Sequence, residues 1–279
     1  MLASLCDVLH PARRGGYAVG LFNTVNLEMA RGVIAAAEEL RSPVIIGTAE
    51  VLLPFAPLDA LTWFLLPLAQ QATVPVVVHF DHGLTFERCM EALKLGIRSI
   101  MFDCSQASLE ENTRKVRELT RIAHAFGANV EAELGHVGLG IDSAETLESH
   151  YTDPKQVETY VKATGVDALA IAAGTAHGPY HGKPCLDFGR IEKIASLTDV
   201  PLVLHGGSGL SDEDFRRAIA CGISKINIFT DINEAAAAGA ASALQVKGAA
   251  GTQLMMEQIR AVREAAMAKM RLFGSCGKA

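Results

Sequence analysis

Eight short apolar runs alternating with amphipathic stretches, spread over 279 residues, predict an α/β chain closed into a parallel barrel of βα units. Three observations carry that expectation. The alternation persists along the chain, the length is close to the ~250 residues such barrels take, and three histidines fall at matching places. His82, His177 and His205 each lie within a few residues of the end of an apolar run, in VPVVVHFDHG, DALAIAAGTAHG and VPLVLHGGSG. If those runs are parallel strands, all three imidazoles reach one end of one sheet. The expected architecture is a (β/α)8 TIM barrel with extra C-terminal helices, one domain over residues 1–279. An open doubly wound sheet is the alternative.

In chain order the expected strands are 17–23 (YAVGLFN), 43–47 (PVIIG), 75–80 (PVVVHF), 98–103 (RSIMFD), 128–133 (ANVEAE), 167–172 (DALAIA), 201–205 (PLVLH) and 223–228 (ISKINI). The helices expected between them include 26–40, 84–95, 108–126, 154–164, 187–197 and 211–221. Their starts carry capping signals: Thr85, Ser108, the pair Asp153-Pro154, and Ser211 with Asp214 three residues on. Residues 135–152, Gly-rich and then polar, form a long connection after the fifth strand, a length usual for functional loops. The Ala-rich segment 231–272 reads as a terminal helix pair interrupted at 247–252.

Composition excludes several classes of function. With 49% hydrophobic and 20% charged residues the chain reads as an ordinary globular protein, and a net charge of −6 offers no basic field for nucleic acid or anionic lipid. No run of ~18 or more uncharged apolar residues could span a bilayer. The opening MLASLCDVLH shows neither basic leader nor cleavage signature, so a cytoplasmic protein is expected. Six scattered cysteines without a CxxC pair are expected to be free thiols. The Ala- and Met-rich C-terminal helices suggest a homodimer or homotetramer, although packing within one chain explains them equally well.

Side chains alternate on a strand, so residues of one parity point into a barrel. That rule groups Val77, His79 and Asp81 on the third strand, with His82 at the rim beyond it. It groups Met101 with Asp103, then Asn129 with Glu131 and Glu133, then Lys225 with Asn227. Asp81, His82, Asp103, Glu133, His177, His205 and Asn227 therefore gather at the carboxyl rim, where barrel enzymes keep their active sites. One such histidine alone would be a structural residue. Three beside a carboxylate form a catalytic metal site with an open position, and neutral imidazoles suit zinc. Asp103 and Glu133 either bind a second metal position or orient the histidines from behind. His79, one layer deeper, is expected to be packed and hydrogen-bonded. HGGSG (205–209) and NIFTD (227–231), each leading into a helix after the last two strands, form a phosphate cradle, with Gly178 as a further close backbone contact.

These residues resemble the class II, zinc-dependent ketose-bisphosphate aldolases, especially the short branch containing tagatose-bisphosphate and fructose-bisphosphate aldolases. The likeness runs over nearly the whole chain: FNTVN (22–26), RSPVIIGT (41–48), VHFDHG (78–83), VEAELG (130–135), GTAHG (174–178), LHGGSG (204–209) and KINIFTD (225–231). It implies that His82, His177 and His205 bind one catalytic zinc ion and that Asp81 is the acid/base. It implies a second metal position or a monovalent cation at Asp103 and Glu133. It places Gly178, Gly206, Gly207, Ser208, Asn227, Ile228, Phe229 and Thr230 against dihydroxyacetone phosphate. Aldol cleavage needs a sink for the carbanion left when a C–C bond breaks, and a zinc-bound enediolate supplies one. A lid from 135–152 could bring the acid that protonates it, with Asp142 and Glu145 as candidates.

One departure bears on the substrate. Short-branch relatives end in a CGS-type segment followed by an arginine suited to a distal phosphate, whereas this tail reads LFGSCGKA with Lys278 in its place. The expected substrate is thus a phosphorylated ketose, 1-phosphate or 1,6-bisphosphate, with a hydroxyl or carboxylate among the candidates for its far end. Three rivals remain: a Schiff-base aldolase using Lys225, a zinc hydrolase on a barrel, and a non-catalytic aldolase-like subunit.

Overall fold

β1 (Val19–Asn23), β2 (Val44–Ala49), β3 (Val76–Gly83), β4 (Ser99–Phe102), β5 (Asn129–Leu134), β6 (Ala168–Ile171), β7 (Leu202–Leu204) and β8 (Ile223–Ile228) pair in parallel in sequence order, and β8 closes onto β1. The computed structural model describes residues 1–138, 146, 148, 150–178 and 184–279. Around the barrel lie α2 (Leu27–Leu40), α3 (Leu58–Gln71), α4 (Phe86–Lys94), α5 (Leu109–Ala125), α6 (Pro154–Thr164), α7 (Phe188–Ala195), α8 (Asp212–Ala220), α9 (Thr230–Leu244) and α10 (Gly251–Phe273), preceded by α1 (Leu5–Gly15). None of the helices among the described residues is long and apolar enough to cross a membrane.

The helix starts form where the capping residues stand. Thr85, Ser108 and Asp153 each accept a first-turn backbone N–H, and Ser211 and Asp214 close a reciprocal capping box. α1 and α3 are the elements that sequence periodicity did not single out. α3 (LDALTWFLLPLAQQ) is apolar on nearly every side, which blurs a 3.6-residue contrast. α1 is short and holds Pro11. Its buried Leu5, Val8, Leu9 and Ala12 plug the barrel's amino end against Val19, Leu21, Ile45, Val77, Ala168, Ala170 and Val203. The outward-facing strand residues, among them Phe22, Ile46, Val78, Phe80 and Ile226, form the larger core with the surrounding helices.

Most strand ends move by a residue or two from expectation, and two of these shifts bear on the site. β3 runs on to Gly83 rather than stopping at residue 80, because its pairing with β4 slips between Phe80 and Gly83 in a bulge. β7 stops at Leu204, leaving His205 just past the strand. The alanine-rich terminal segment packs on the chain along one side, while Leu244, Val246, Met255 and Met256 stay exposed. A Cβ on Gly239 would meet the Glu257 carbonyl at 2.5 Å, and one on Gly32 the Ile259 carbonyl at 2.8 Å, so α10 packs almost backbone to backbone on α9 and α2. The tail turns to the amino ends of the strands: Gly277 and Ala279 donate to the carbonyls of Leu40 and Arg41, and Lys278 Nζ lies 5.5 Å from the Tyr17 ring centroid. Within its own chain Lys278 therefore sits at the end of the barrel opposite the histidines.

Candidate metal centre and active site

Asp81 and His82 are sequence neighbours, so a regular strand would send them to opposite faces. The β3 bulge resolves this. His82 adopts φ 41°, a left-handed conformation unusual for a side-chain-bearing residue, and its ring turns toward the barrel mouth beside inward-facing Asp81. His177 follows β6 on a loop whose amide donates to the Gly138 carbonyl. His205 follows β7, and the turn at Gly206 packs so closely that a Cβ there would lie 2.3 Å from the Ala176 carbonyl.

The three imidazoles converge as the sequence predicted. His82 Nε2 and His205 Nδ1 are 2.6 Å apart, and His177 lies with its ring centroid 4.9 Å from that of His82 and 5.8 Å from that of His205. One nitrogen from each falls within 4.8 Å of the others. The remaining nitrogens are held from outside: His82 Nδ1 by Asp103 Oδ2 at 2.8 Å, His205 Nε2 by Glu131 Oε1 at 2.9 Å, and His177 by the Val137 backbone. Partners of this kind fix tautomer and ring direction in metal sites.

The two carboxylates that sequence reasoning left in either role stay together: Asp103, Glu133 and His82 each bring one donor atom within 4.8 Å of the others. Asp103 backs His82 and accepts from the Ser105 amide. Glu133 faces the cluster: Oε1 accepts from the Val137 amide, while Oε2 is buried, makes no hydrogen bond among the described residues, and lies 3.7 Å from His205 Nδ1. His79 is packed as expected, with Nδ1 2.7 Å from Ser99 Oγ.

Asp81 is 2% exposed and takes hydrogen bonds from Asn23 Nδ2 at 2.8 Å and from Asn227 Nδ2 at 3.0 and 3.1 Å. Burial opposes its ionisation, but His82, Lys225 and His205 outweigh that and hold its carboxyl well below the usual range. The same charges act on their neighbours. Burial would lower His82, yet Asp81 and Asp103 push it up to about 9. Burial, reinforced by His82 and His205, depresses His177 to about 3. His79 falls to about 4 through burial and then Lys225.

A cleft of about 680 Å³ opens over this cluster. Gly178, Gly206, Gly207, Ser208, Asn227, Ile228, Phe229 and Thr230 all line it, as the sequence led one to expect. α9 begins there without a side-chain cap, so its first-turn N–H groups are not taken by a capping residue. Asp142 and Glu145 lie outside the described residues.

Sequence reasoning missed Asn23 and Glu131 as site residues. Asn23 ends β1 on the inward parity, the same rule that found Asp81, and lines the cleft. Glu131 was on the inward face of its strand but one layer below the rim. Lys225, the nucleophile of the Schiff-base rival, is fully buried and 2.8 Å from Glu131 Oε2, so its ammonium is paired inside the barrel.

Comparison with known proteins places this arrangement. Residues 3–278 match the family model described as fructose-bisphosphate aldolase class-II. The chain is 43% identical over 284 residues to a fructose-bisphosphate aldolase from Geobacillus stearothermophilus, covering 100% of this chain and 99% of that one. The crystal structure of the YdjI aldolase from Escherichia coli K12 superposes with a TM-score of 0.91 at 40% identity, covering 100% of both chains. One titled a putative fructose-1,6-biphosphate aldolase from Coccidioides immitis gives a TM-score of 0.90 at 31% identity, over 98% of this chain and 97% of that one. Agreement of that extent makes the chain a member of the class II fructose-bisphosphate aldolase family, and its chemistry the breaking and making of a carbon–carbon bond.

Proposed function

We propose that this chain catalyses the reversible, zinc-dependent aldol cleavage of a phosphorylated ketose to dihydroxyacetone phosphate and an aldehyde. The observation that supports it most directly is the meeting of one nitrogen each from His82, His177 and His205 within 4.8 Å, beside the ionised Asp81. The donor set fits a divalent cation. Three imidazoles each turn one nitrogen inward while an outside acceptor holds the other, and Glu133 adds a buried carboxylate oxygen with no hydrogen-bond partner among the described residues. A zinc ion held there supplies Lewis acidity to the ketose carbonyl and its neighbouring hydroxyl.

The chain's own residues do the rest. The backbone of Gly206, Gly207 and Ser208 and the uncapped start of α9 bind the phosphate, orienting the three-carbon half toward the histidines. Asp81 takes the proton from the hydroxyl on the carbon that becomes the aldehyde, and returns it in the synthetic direction. Asn23 and Asn227 hold that carboxylate in place. Its near-complete burial keeps water from competing for the proton.

The distal group of the substrate is a hydroxyl or a carboxylate rather than a second phosphate. Ala49, Val51, Leu52 and Leu84 line one side of the cleft, and neither lysine nor arginine lines it among the described residues. Away from the glycine cradle, no backbone nest or cation among the described residues offsets the desolvation of a second, doubly charged phosphate, a larger cost than that of a singly charged carboxylate or a neutral hydroxyl. With Lys278 at the other end of the barrel, the tail cannot supply one within the chain.

Retro-aldol assays on a panel of ketose 1-phosphates and 1,6-bisphosphates, coupled to triose phosphate detection, test this reading. Turnover should vanish with a chelator and return with zinc, and 1-phosphates should match or exceed bisphosphates in kcat/KM. Full activity without metal sinks the zinc mechanism. A strong preference for the bisphosphate sinks the assignment of the distal group.

A further inference from the structure

Lys225 is completely buried, and no step described above uses it. Its ammonium lies 2.8 Å from Glu131 Oε2 and 3.1 Å from Oε1, and donates to Asn227 Oδ1 at 2.8 Å. Both partners lead onward. Glu131 Oε1 meets His205 Nε2 at 2.9 Å, and Asn227 Nδ2 donates to the Asp81 carboxylate at 3.0 and 3.1 Å. A single cation thus stands where two hydrogen-bonded paths join, one reaching a candidate zinc ligand and the other the candidate base.

An ammonium does two things here that an apolar filler of equal volume could not. The first concerns Asn227, whose amide has a donor end and an acceptor end. Lys225 can only donate, so it selects the orientation with Oδ1 toward itself, which leaves Nδ2 for Asp81. The reversed amide would set Oδ1 against the Asp81 carboxylate. The second concerns Glu131. The ammonium offsets the buried carboxylate's charge, and the carboxylate accepts from His205 Nε2, leaving Nδ1 directed at the histidine cluster. Lys225 and Asn227 lie two residues apart on β8, so one side chain reaches both partners across the barrel interior.

The geometry points to Lys225 as a positioning residue for the aldol reaction: its ammonium sets the amide orientation of Asn227 that holds Asp81 and, through Glu131, the ring orientation of His205. The inference rests on the roles proposed above for Asp81 and His205. The two can fail separately, because zinc-dependent turnover of the parent chain tests those roles alone.

The test compares Lys225→Met, which keeps the side-chain length, with Lys225→Met/Glu131→Gln, which removes both charges with little change of shape. Three quantities are measured: the Tm of the zinc-free proteins, the zinc Kd by competition with a chromophoric chelator, and kcat and KM on a ketose 1-phosphate. Lys225→Met should lose stability, because Glu131 is left uncompensated. The double variant should regain it, since a buried ion pair can be replaced by neutral groups at little cost. Its zinc Kd should still be weakened about tenfold or more. Its kcat should stay at least about tenfold below the parent with KM nearly unchanged, because an interaction needed for the chemical step is lost while the phosphate cradle is intact. A purely structural pair predicts recovery of kcat together with Tm. A double variant that folds with parental kcat, or that does not fold at all, overturns the assignment.

Discussion

His82 holds a backbone conformation with φ 41°, and its imidazole is pushed up to about 9 by the carboxylates of Asp81 and Asp103. The first belongs to the β3 bulge and the second to the neighbouring acids, and the second has a measurable consequence. A metal ligand must be deprotonated, so a cation entering this cluster at pH 8 has to displace the His82 proton, whereas His177, at about 3, has none to give. Titration calorimetry in buffers of different ionisation enthalpy should therefore report release of about one proton per zinc bound at pH 8, with affinity climbing as pH rises toward 9. Binding without proton release contradicts the ligand assignment. Asp81 is the second residue to test. Asp81→Asn keeps an oxygen to accept from Asn23 and Asn227 but removes the proton acceptor, so kcat should drop by roughly 10²–10⁴-fold while zinc affinity stays within a few-fold. A loss smaller than tenfold would assign the base elsewhere.

At the scale of elements, the site depends on the pairing of β2 with β3. Gly47 stands opposite His79 in that ladder, and a Cβ on it would lie only 2.0 Å from the His79 carbonyl oxygen. A backbone atom inside a ladder has little room to retreat. Gly47→Ala should cost about 1–3 kcal/mol or more in urea unfolding. It should also lower kcat, since the displaced strand carries Asp81 and His82. Unchanged stability would mean that the two strands can separate without harm. A latch joins the neighbouring loops: the Glu50 carboxylate accepts from the amides of Leu84 and Thr85 at 2.7 and 3.1 Å, tying the β2 exit to the start of α4 beside the cleft.

At the scale of the whole molecule the two ends of the barrel do different work. The amino end is sealed by α1, whose Leu5 and Leu9 are fully buried, and the carboxyl end holds the charges. Stability at the sealed end should be separable from chemistry at the other. Leu9→Ala should cost roughly 2–5 kcal/mol, as large-to-small core changes do. KM and the zinc requirement should be unaltered in the folded fraction. A shift in KM comparable to the stability loss would show that the plug and the cleft are coupled.

The barrel, and the gathering of three histidines, Asp81 and the glycine loops at its carboxyl rim, were legible from the sequence. They depend on short-range regularities: strand alternation, helix caps, and glycines where the backbone must come close. What tertiary structure decided was everything that depends on distance across the barrel. Only there does it emerge that Asp103 backs His82 while Glu133 faces the cluster, and that Glu131 and Lys225 couple β5 to β8. Only there does Lys278 prove to lie far from the cleft. Even His82 required it, because strand parity alone would have turned this ring away from Asp81, and the bulge that reverses it arises from β3 pairing with β4. Local periodicity sets which way a side chain points along its own strand, while its partner on another strand is set by the shear and closure of the whole sheet.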